Sequence, residues 1–240
     1  MTPLVAALST AAQPLLYSTM ALTPLDRDWA PLLERANASL EHELARELRD
    51  ASVTLPVLRI ELLSEFLDHV VTWNRKIDLT AARSHEELVD LYLADAIVVA
   101  ANARTSQWVD VGSGGGAPGV TLTLLRPELA LTLVEPRAKR VAFLRNVLAL
   151  LEIDTPRVVR ARSDQLESAS FDTAISRATL APADWLVEGT RLARREVWVL
   201  LAQGEPPCRA GWVIDCDISY RWPLTGVSRR AVRYVKVPPP

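Results

Sequence analysis

Apolar residues in the first hundred positions recur at helical spacing, and beyond residue 106 they gather into short runs separated by polar turns. Leu58, Leu62, Leu63, Phe66, Leu67, Val70 and Val71 follow an i, i+3, i+4 rhythm that predicts a helix over Val57–Asn74 with one buried stripe. A similar spacing marks Trp29–Asp50, ending before Ser52-Val53-Thr54-Leu55-Pro56. A third helix is predicted from Ser84 to about Ala103, because Ser84 followed by Glu87 is a capping-box signature. Strands are predicted near 107–111, 130–135, 156–160, 172–176 and 196–202, with helices near 118–126, 138–151 and 183–194 between them. Gly211–Tyr220 and Arg230–Val237 read as a terminal hairpin around Pro223-Leu224-Thr225-Gly226. The outline is an α/β fold: a doubly wound, seven-stranded Rossmann-like sheet, parallel apart from its last strand, preceded by an N-terminal helical subdomain.

The strand at 107–111 runs into Asp110-Val111-Gly112-Ser113-Gly114-Gly115-Gly116-Ala117-Pro118-Gly119. Glycines there remove Cβ atoms from a turn, so backbone N–H groups can approach a ligand closely. Pro118 stands where a following helix would take its first turn, a place that tolerates a missing N–H. Gly114, Gly116 and Gly119 also satisfy the G-x-G-x-x-G spacing of a dinucleotide site, so the glycines do not choose the nucleotide. Asp110 helps, because a carboxylate at the strand end opposes a pyrophosphate and favours the ammonium and sulfonium of S-adenosylmethionine. Glu135 closes the next strand 25 residues later, where it can accept both ribose hydroxyls. S-adenosylmethionine is therefore the expected cofactor, and a dinucleotide oxidoreductase and a non-catalytic binding module stay as alternatives.

Length and charge refine this picture modestly. The 240 residues suit one medium α/β domain with an appendage, expected as a flexible extension over 1–27, a helical subdomain over 28–103 and a cofactor-binding domain over 104–240. Met1–Leu25 carries no charge, is broken by Pro3, Pro14 and Pro24, and lacks the basic start of a signal peptide. Cys208 and Cys216 are too few for a disulfide framework and agree with a reducing cytoplasm. Residues 1–100 hold 8 Lys+Arg against 15 Asp+Glu, a net of −7; residues 101–240 hold 19 against 14, a net of +5. That asymmetry permits a nucleic-acid-binding face without requiring one.

Several segments carry a resemblance. They are Trp73-Asn74-Arg75-Lys76-Ile77-Asp78-Leu79-Thr80, Leu93-Ala94-Asp95-Ala96-Ile97-Val98, the glycine turn with Ala117-Pro118-Gly119, and Leu125-Arg126-Pro127. Glu135-Pro136-Arg137-Ala138-Lys139-Arg140-Val141-Ala142-Phe143-Leu144-Arg145 and Ile175-Ser176-Arg177-Ala178 complete the set. Over roughly residues 55–202 the chain resembles the GidB/RsmG-type methyltransferases, which modify N7 of a guanine in small-subunit ribosomal RNA. The resemblance implies a class I methyltransferase fold, S-adenosylmethionine as cofactor, and 16S ribosomal RNA or the small subunit as partner. A divergent member acting on a small molecule or peptide is the alternative. A cytoplasmic, monomeric enzyme with no membrane or metal involvement is expected.

Guanine N7 carries a lone pair and no proton at neutral pH, so methyl transfer there needs alignment and no general base. The sequence agrees in what it lacks. Ser176-Arg177-Ala178-Thr179 replaces the Asn/Asp-Pro-Pro-aromatic run of exocyclic-amine enzymes, and Cys208 is better read as a turn residue than as a nucleophile. Arg177, with Ser176, is the expected catalytic pair, its guanidinium donating to guanine O6; a salt bridge holding the loop is the plainer reading of Arg177. Cofactor contacts are expected from Asp110, Gly112, Ser113, Gly114, Gly116, Pro118, Gly119, Glu135, Pro136, Arg140, Ala161, Arg162 and Arg177. Substrate contacts are expected from Trp73, Asn74, Tyr92, Arg137 and Arg229, with Arg137, Arg140 and Arg145 gripping phosphates or simply forming a solvated face. Core packing alone would also account for Trp73. Tyr92, Asp78 and Gln203 depart from the family's usual His, Asn and Lys, all on the substrate side.

Overall fold

A computed structural model describes residues 28–47 and 55–238; the expected extension over 1–27 and the last turn of the helix predicted to Asp50 lie outside them. Three helices come first: α1 (Ala30–Glu47), α2 (Ile60–Asn74) and α3 (His85–Ala101). Strand–helix alternation follows as β1 (Gln107–Val111), α4 (Gly119–Leu125), β2 (Ala130–Val134), α5 (Ala138–Leu150), β3 (Arg157–Val159), β4 (Phe171–Ser176), α6 (Pro182–Leu192) and β5 (Ala193–Leu201). β6 (Trp212–Arg221) and β7 (Ser228–Lys236) close the chain. The sheet order is β3-β2-β1-β4-β5-β7-β6, and β7 alone runs antiparallel, as expected.

Boundaries shift where local chemistry overrides periodicity. β5 starts three residues before the predicted position because the chain leaves α6 directly into extended backbone: Ala193 has φ −91° and ψ 142° and already pairs with Phe171. At the start of α3, the Ser84 hydroxyl accepts from Glu87 N–H at 3.1 Å, as a cap should. The reciprocal half of the capping box differs, since Glu87 Oε2 accepts from Arg83 N–H at 2.8 Å instead of from Ser84.

Alternation along the strands divides the core between two faces. Trp108 and Trp198 point toward the layer built from α1 to α5, whereas Val109, Val111, Val197 and Val199 point toward α6. The first face is heavily covered because the N-terminal helices pack there beside α4 and α5. Among the described α-helices only α6 serves the other face, and residues 202–210 between β5 and β6 form no helix. α3 is apolar nearly all round, twelve of its residues being buried, because it is sandwiched between α1, α4 and the sheet. That position brings α3 to the C-terminal edge of the strands, where open α/β sheets bind ligands.

Candidate active site

The glycine turn leaves β1 as designed by its composition. Gly112, Gly114 and Gly116 have φ of +73°, +55° and +97°, backbone conformations that disfavour side chains. At Gly112 a Cβ would also collide with the Thr179 side chain, so the turn and the loop after β4 lie in direct contact. Beside the turn is a cavity of about 370 Å³, whose wall includes Gly112, Ser113, Gly114, Glu135, Pro136 and Arg140. Glu135 is buried, and its two oxygens are aimed by backbone: Gly114 N–H donates to Oε2 at 3.0 Å and Arg137 N–H to Oε1 at 2.8 Å. Each oxygen retains a second acceptor position, which suits a pair of vicinal hydroxyls.

Asp110 sits elsewhere than its sequence position suggests. Its carboxylate is beneath the turn, against Gly119 and Leu133, and is absent from the cavity wall. Neither side-chain oxygen finds a hydrogen-bond partner among the described residues. Burial pushes its pKa up to about 7, an effect opposed by the nearby Ser113 hydroxyl and Arg177. Gly116, Pro118 and Gly119 likewise shape the turn from below: Gly116 packs on Val120 and Phe66, and the Pro118 carbonyl accepts from Leu122 N–H at 2.8 Å. Ala161 packs partly into the α6-side core, and Arg162 pairs with Asp164 at 3.3 Å, so neither borders the cavity.

A second cavity, of about 340 Å³, adjoins the first. Arg177 and Ala178 line both. Its wall is aromatic, with Trp185, Tyr220 and Trp222, and Arg229 stacks its guanidinium 4.0 Å from the centre of the Trp222 ring. Ala178 adopts φ +54°, a left-handed conformation that costs a residue with a Cβ roughly 1–2 kcal/mol and marks the junction as a constrained place. The Arg177 guanidinium reaches across to α3, donating to the Leu91 carbonyl and lying 3.7 Å from Asp95 Oδ2. The plainer reading of Arg177 as a loop-holding ion pair therefore describes one of its contacts, and its place on both cavity walls is the other half. Ser176 lines the aromatic cavity, but its hydroxyl donates to the Val111 carbonyl at 2.8 Å and so is committed to the sheet.

The expected substrate residues divide. Arg229 lies on the aromatic cavity, whereas Tyr92 and Arg137 lie on the glycine-turn cavity. Tyr92 is buried against Gly115, where no side chain could coexist with its hydroxyl. Trp73 borders neither cavity and packs edge-on against Phe143 with ring centres 5.7 Å apart, the core role. Asn74 borders neither, yet it builds the first cavity's wall indirectly. Its Oδ1 accepts from Leu79 N–H at 2.8 Å and Thr80 N–H at 3.0 Å, and its amide donates to the Thr80 carbonyl. The loop so ordered presents Leu79 to the cavity and the Asp78 carbonyl to Arg140, which donates at 2.9 and 2.6 Å. Asp78 adds its carboxylate at 3.4 Å, so the departure from Asn places an ion pair here. Arg145 is spent on the Val158 carbonyl at 3.2 Å and reaches no phosphate-binding surface beside the turn.

Sequence reasoning gave no role to Asp95, Tyr220 or Trp222. Asp95 lies inside one of the quoted segments, and Tyr220 and Trp222 are two apart, hence on one face of an extended chain; only the fold brings them together.

With this geometry in place, comparison with known proteins is decisive. Residues 59–207 match the family model of rRNA small subunit methyltransferase G. The chain belongs to this family. A Ribosomal RNA small subunit methyltransferase G from Methylobacillus flagellatus is 37% identical over 140 residues, covering 58% of this chain and 68% of that one. The Halorhodospira halophila protein of the same name is 36% identical over 148 residues, covering 62% and 70%. That of Xanthomonas euvesicatoria is 32% identical over 192 residues, covering 77% and 88%. This member of the methyltransferase G family is thus an S-adenosylmethionine-dependent methyltransferase, and the residues present fit that cofactor. The bare-backbone turn, and Glu135 beside it with acceptor capacity left on both oxygens, fit a nucleoside donor; the Asp110 carboxylate, sealed beneath the turn, is not part of that fit. Among the described residues no helix is long and apolar enough to cross a membrane.

Proposed function

We propose that this methyltransferase transfers a methyl group to N7 of a guanine in 16S ribosomal RNA, with the glycine-turn cavity holding the cofactor and the aromatic cavity holding the acceptor base. The observation that carries the reading is the shared wall: Arg177 and Ala178 border both cavities, so a flat base in one faces a donor in the other. S-adenosylmethionine supplies an electrophilic methyl carried on a sulfonium. The chain's part is to align, since N7 offers its lone pair without losing a proton. Arg177 is the proposed donor to O6, which leaves N7 facing the cofactor side. Trp222 is the proposed stacking surface for the base, and Glu135, Gly112, Ser113, Gly114 and Arg140 are the proposed cofactor contacts.

A groove lined by Arg46, Arg221, Arg229 and Arg230 continues outward from the aromatic cavity. Arg46 is balanced by Glu43 at 3.6 Å and Arg230 by Asp217 at 2.7 Å, leaving Arg221 and Arg229 as the proposed phosphate contacts. Gln203, where the family carries Lys, lies in this same groove and lowers its charge. Nucleoside mass spectrometry of 16S rRNA from a deletion strain tests the assignment. Loss of one 7-methylguanosine, restored by the gene, is expected; an unchanged profile overturns it.

A further inference from the structure

Arg177 is held by a buried group to which the proposed alignment chemistry gives no part. Asp95 on α3 is 3% exposed, yet it collects donors from three directions. Tyr220 O–H donates to Oδ1 at 2.6 Å, Trp222 Nε1–H approaches the same oxygen at 3.3 Å, and Arg177 Nη1 lies 3.7 Å from Oδ2. Four residues earlier, on the same face of α3, the Leu91 carbonyl takes the other Arg177 contact. A buried ion pair contributes little net stability, since desolvation offsets the attraction, so its presence beside two cavities calls for another reason. The members of this cluster also belong to one place: Asp95, Arg177, Tyr220 and Trp222 all line the aromatic cavity.

We infer that Asp95 is a positioning residue, a single carboxylate that sets the Arg177 guanidinium and the Tyr220–Trp222 wall in fixed relation to each other. The inference rests on the reading of the aromatic cavity as the acceptor site. Arginine has a long, freely rotating stem, and a donor aimed at one oxygen of a base must be held to within a fraction of an ångström. A misplacement of about 1 Å costs on the order of 100-fold in rate. Asp95 is not itself expected to touch the base, because Oδ1 is already taken by two donors and Oδ2 faces the guanidinium.

Asp95→Asn is nearly isosteric and tests this. Its one carbonyl oxygen can serve Tyr220 and Trp222, and its amide then presents N–H to Arg177, donor against donor. Turnover of unmethylated 16S rRNA by wild type, D95N, R177A and the double variant is measured with S-adenosylhomocysteine affinity and melting temperature. D95N is expected to lower kcat by roughly 30–100-fold, with the RNA KM and cofactor-product affinity changed by no more than about threefold. On the R177A background D95N is expected to cost nothing further, within about twofold, because the residue through which it acts is gone. Independent, multiplying losses overturn the inference, as does a folded D95N with wild-type kcat. Should D95N not fold, Tyr220→Phe replaces it in the same cycle, with a smaller expected loss of roughly 3–10-fold. In parallel, nitrogen-15 exchange spectroscopy reads hindered rotation of the Arg177 guanidinium in wild type and its release in D95N. Wild type without turnover on this RNA would sink the proposed function, and the spectroscopy then decides alone whether Asp95 holds Arg177.

Discussion

Asp110 shows how far a residue's environment can depart from its motif. The sequence places a carboxylate beside the glycine turn, and the fold seals it under that turn with no hydrogen-bond partner among the described residues. Its pKa, pushed by burial from 3.8 to about 7, fixes a pH signature with a definite sign. Between roughly pH 4 and 7 the folded chain keeps a proton that the unfolded chain releases, so this group's contribution to stability declines as pH rises through that window and is level above it. Asp110→Asn removes the decline. At pH 8 the variant without cofactor is expected to be more stable than wild type, by at most about 4 kcal/mol, and the difference is expected to vanish near pH 4. Urea unfolding across that range checks it, and a wild type more stable at pH 8 would mean that a cation compensates the carboxylate. The motif gave the residue type, but burial, a sum over neighbours distant in sequence, gave its chemistry.

Among the elements, α3 organises the acceptor side from behind. Asp90 is fully buried and accepts from Leu224 N–H at 3.0 Å, Thr225 N–H at 2.8 Å and the Thr225 hydroxyl at 2.7 Å. These bonds pin the β6–β7 turn, which carries Trp222 and Arg229 on its two sides. Asp90→Ala would leave two backbone donors without a partner, at about 1–3 kcal/mol each. A fall in melting temperature of about 5–15 °C is expected, with faster hydrogen exchange at Leu224 and Thr225. S-adenosylhomocysteine affinity is expected to hold, since Asp90 borders neither cavity. The capping-box signature at Ser84 found α3, and two strand-like runs around a turn found the hairpin. Neither could find that one grips the other across 134 residues, because a buried aspartate on a helix looks the same in sequence as a solvated one.

Across the whole molecule, the opposed charges of the two halves acquire a location. The groove leading from the aromatic cavity is shared between α1, from the acidic half, and the β6–β7 hairpin, from the basic half. Two of its four arginines, Arg46 and Arg230, are neutralised locally, which leaves Arg221 and Arg229 to meet RNA. Arg221→Ala is therefore expected to weaken RNA binding and to reduce the slope of log K against log salt by about 0.7–1, the release of one counterion. Binding isotherms at several salt concentrations measure that slope, and an unchanged slope removes Arg221 from the RNA path. Arg233 is a contrast in the same half: fully buried, bonded to Asp215 at 3.0 Å and to the Asn102 carbonyl at 2.6 Å, it joins β7 to β6 and the end of α3 and offers nothing to a ligand. A count of basic residues sees no difference between the two arginines.

What the chain's order of residues determined is local or periodic: the helices before the sheet, seven strands in their places, a turn that only glycine allows, and a carboxylate closing the second strand. Those features depend on neighbours within a few positions, so spacing and residue type express them fully. The tertiary structure alone decided which side chains face a cavity. It buried Asp110, turned Trp73 into core and Asn74 into loop scaffold, and joined Asp95 of α3, Arg177 just after β4, and Tyr220 and Trp222 at the end of β6 around one space. Such convergence has no signature in sequence because it depends on how separate elements pack, and packing is fixed by the whole core at once.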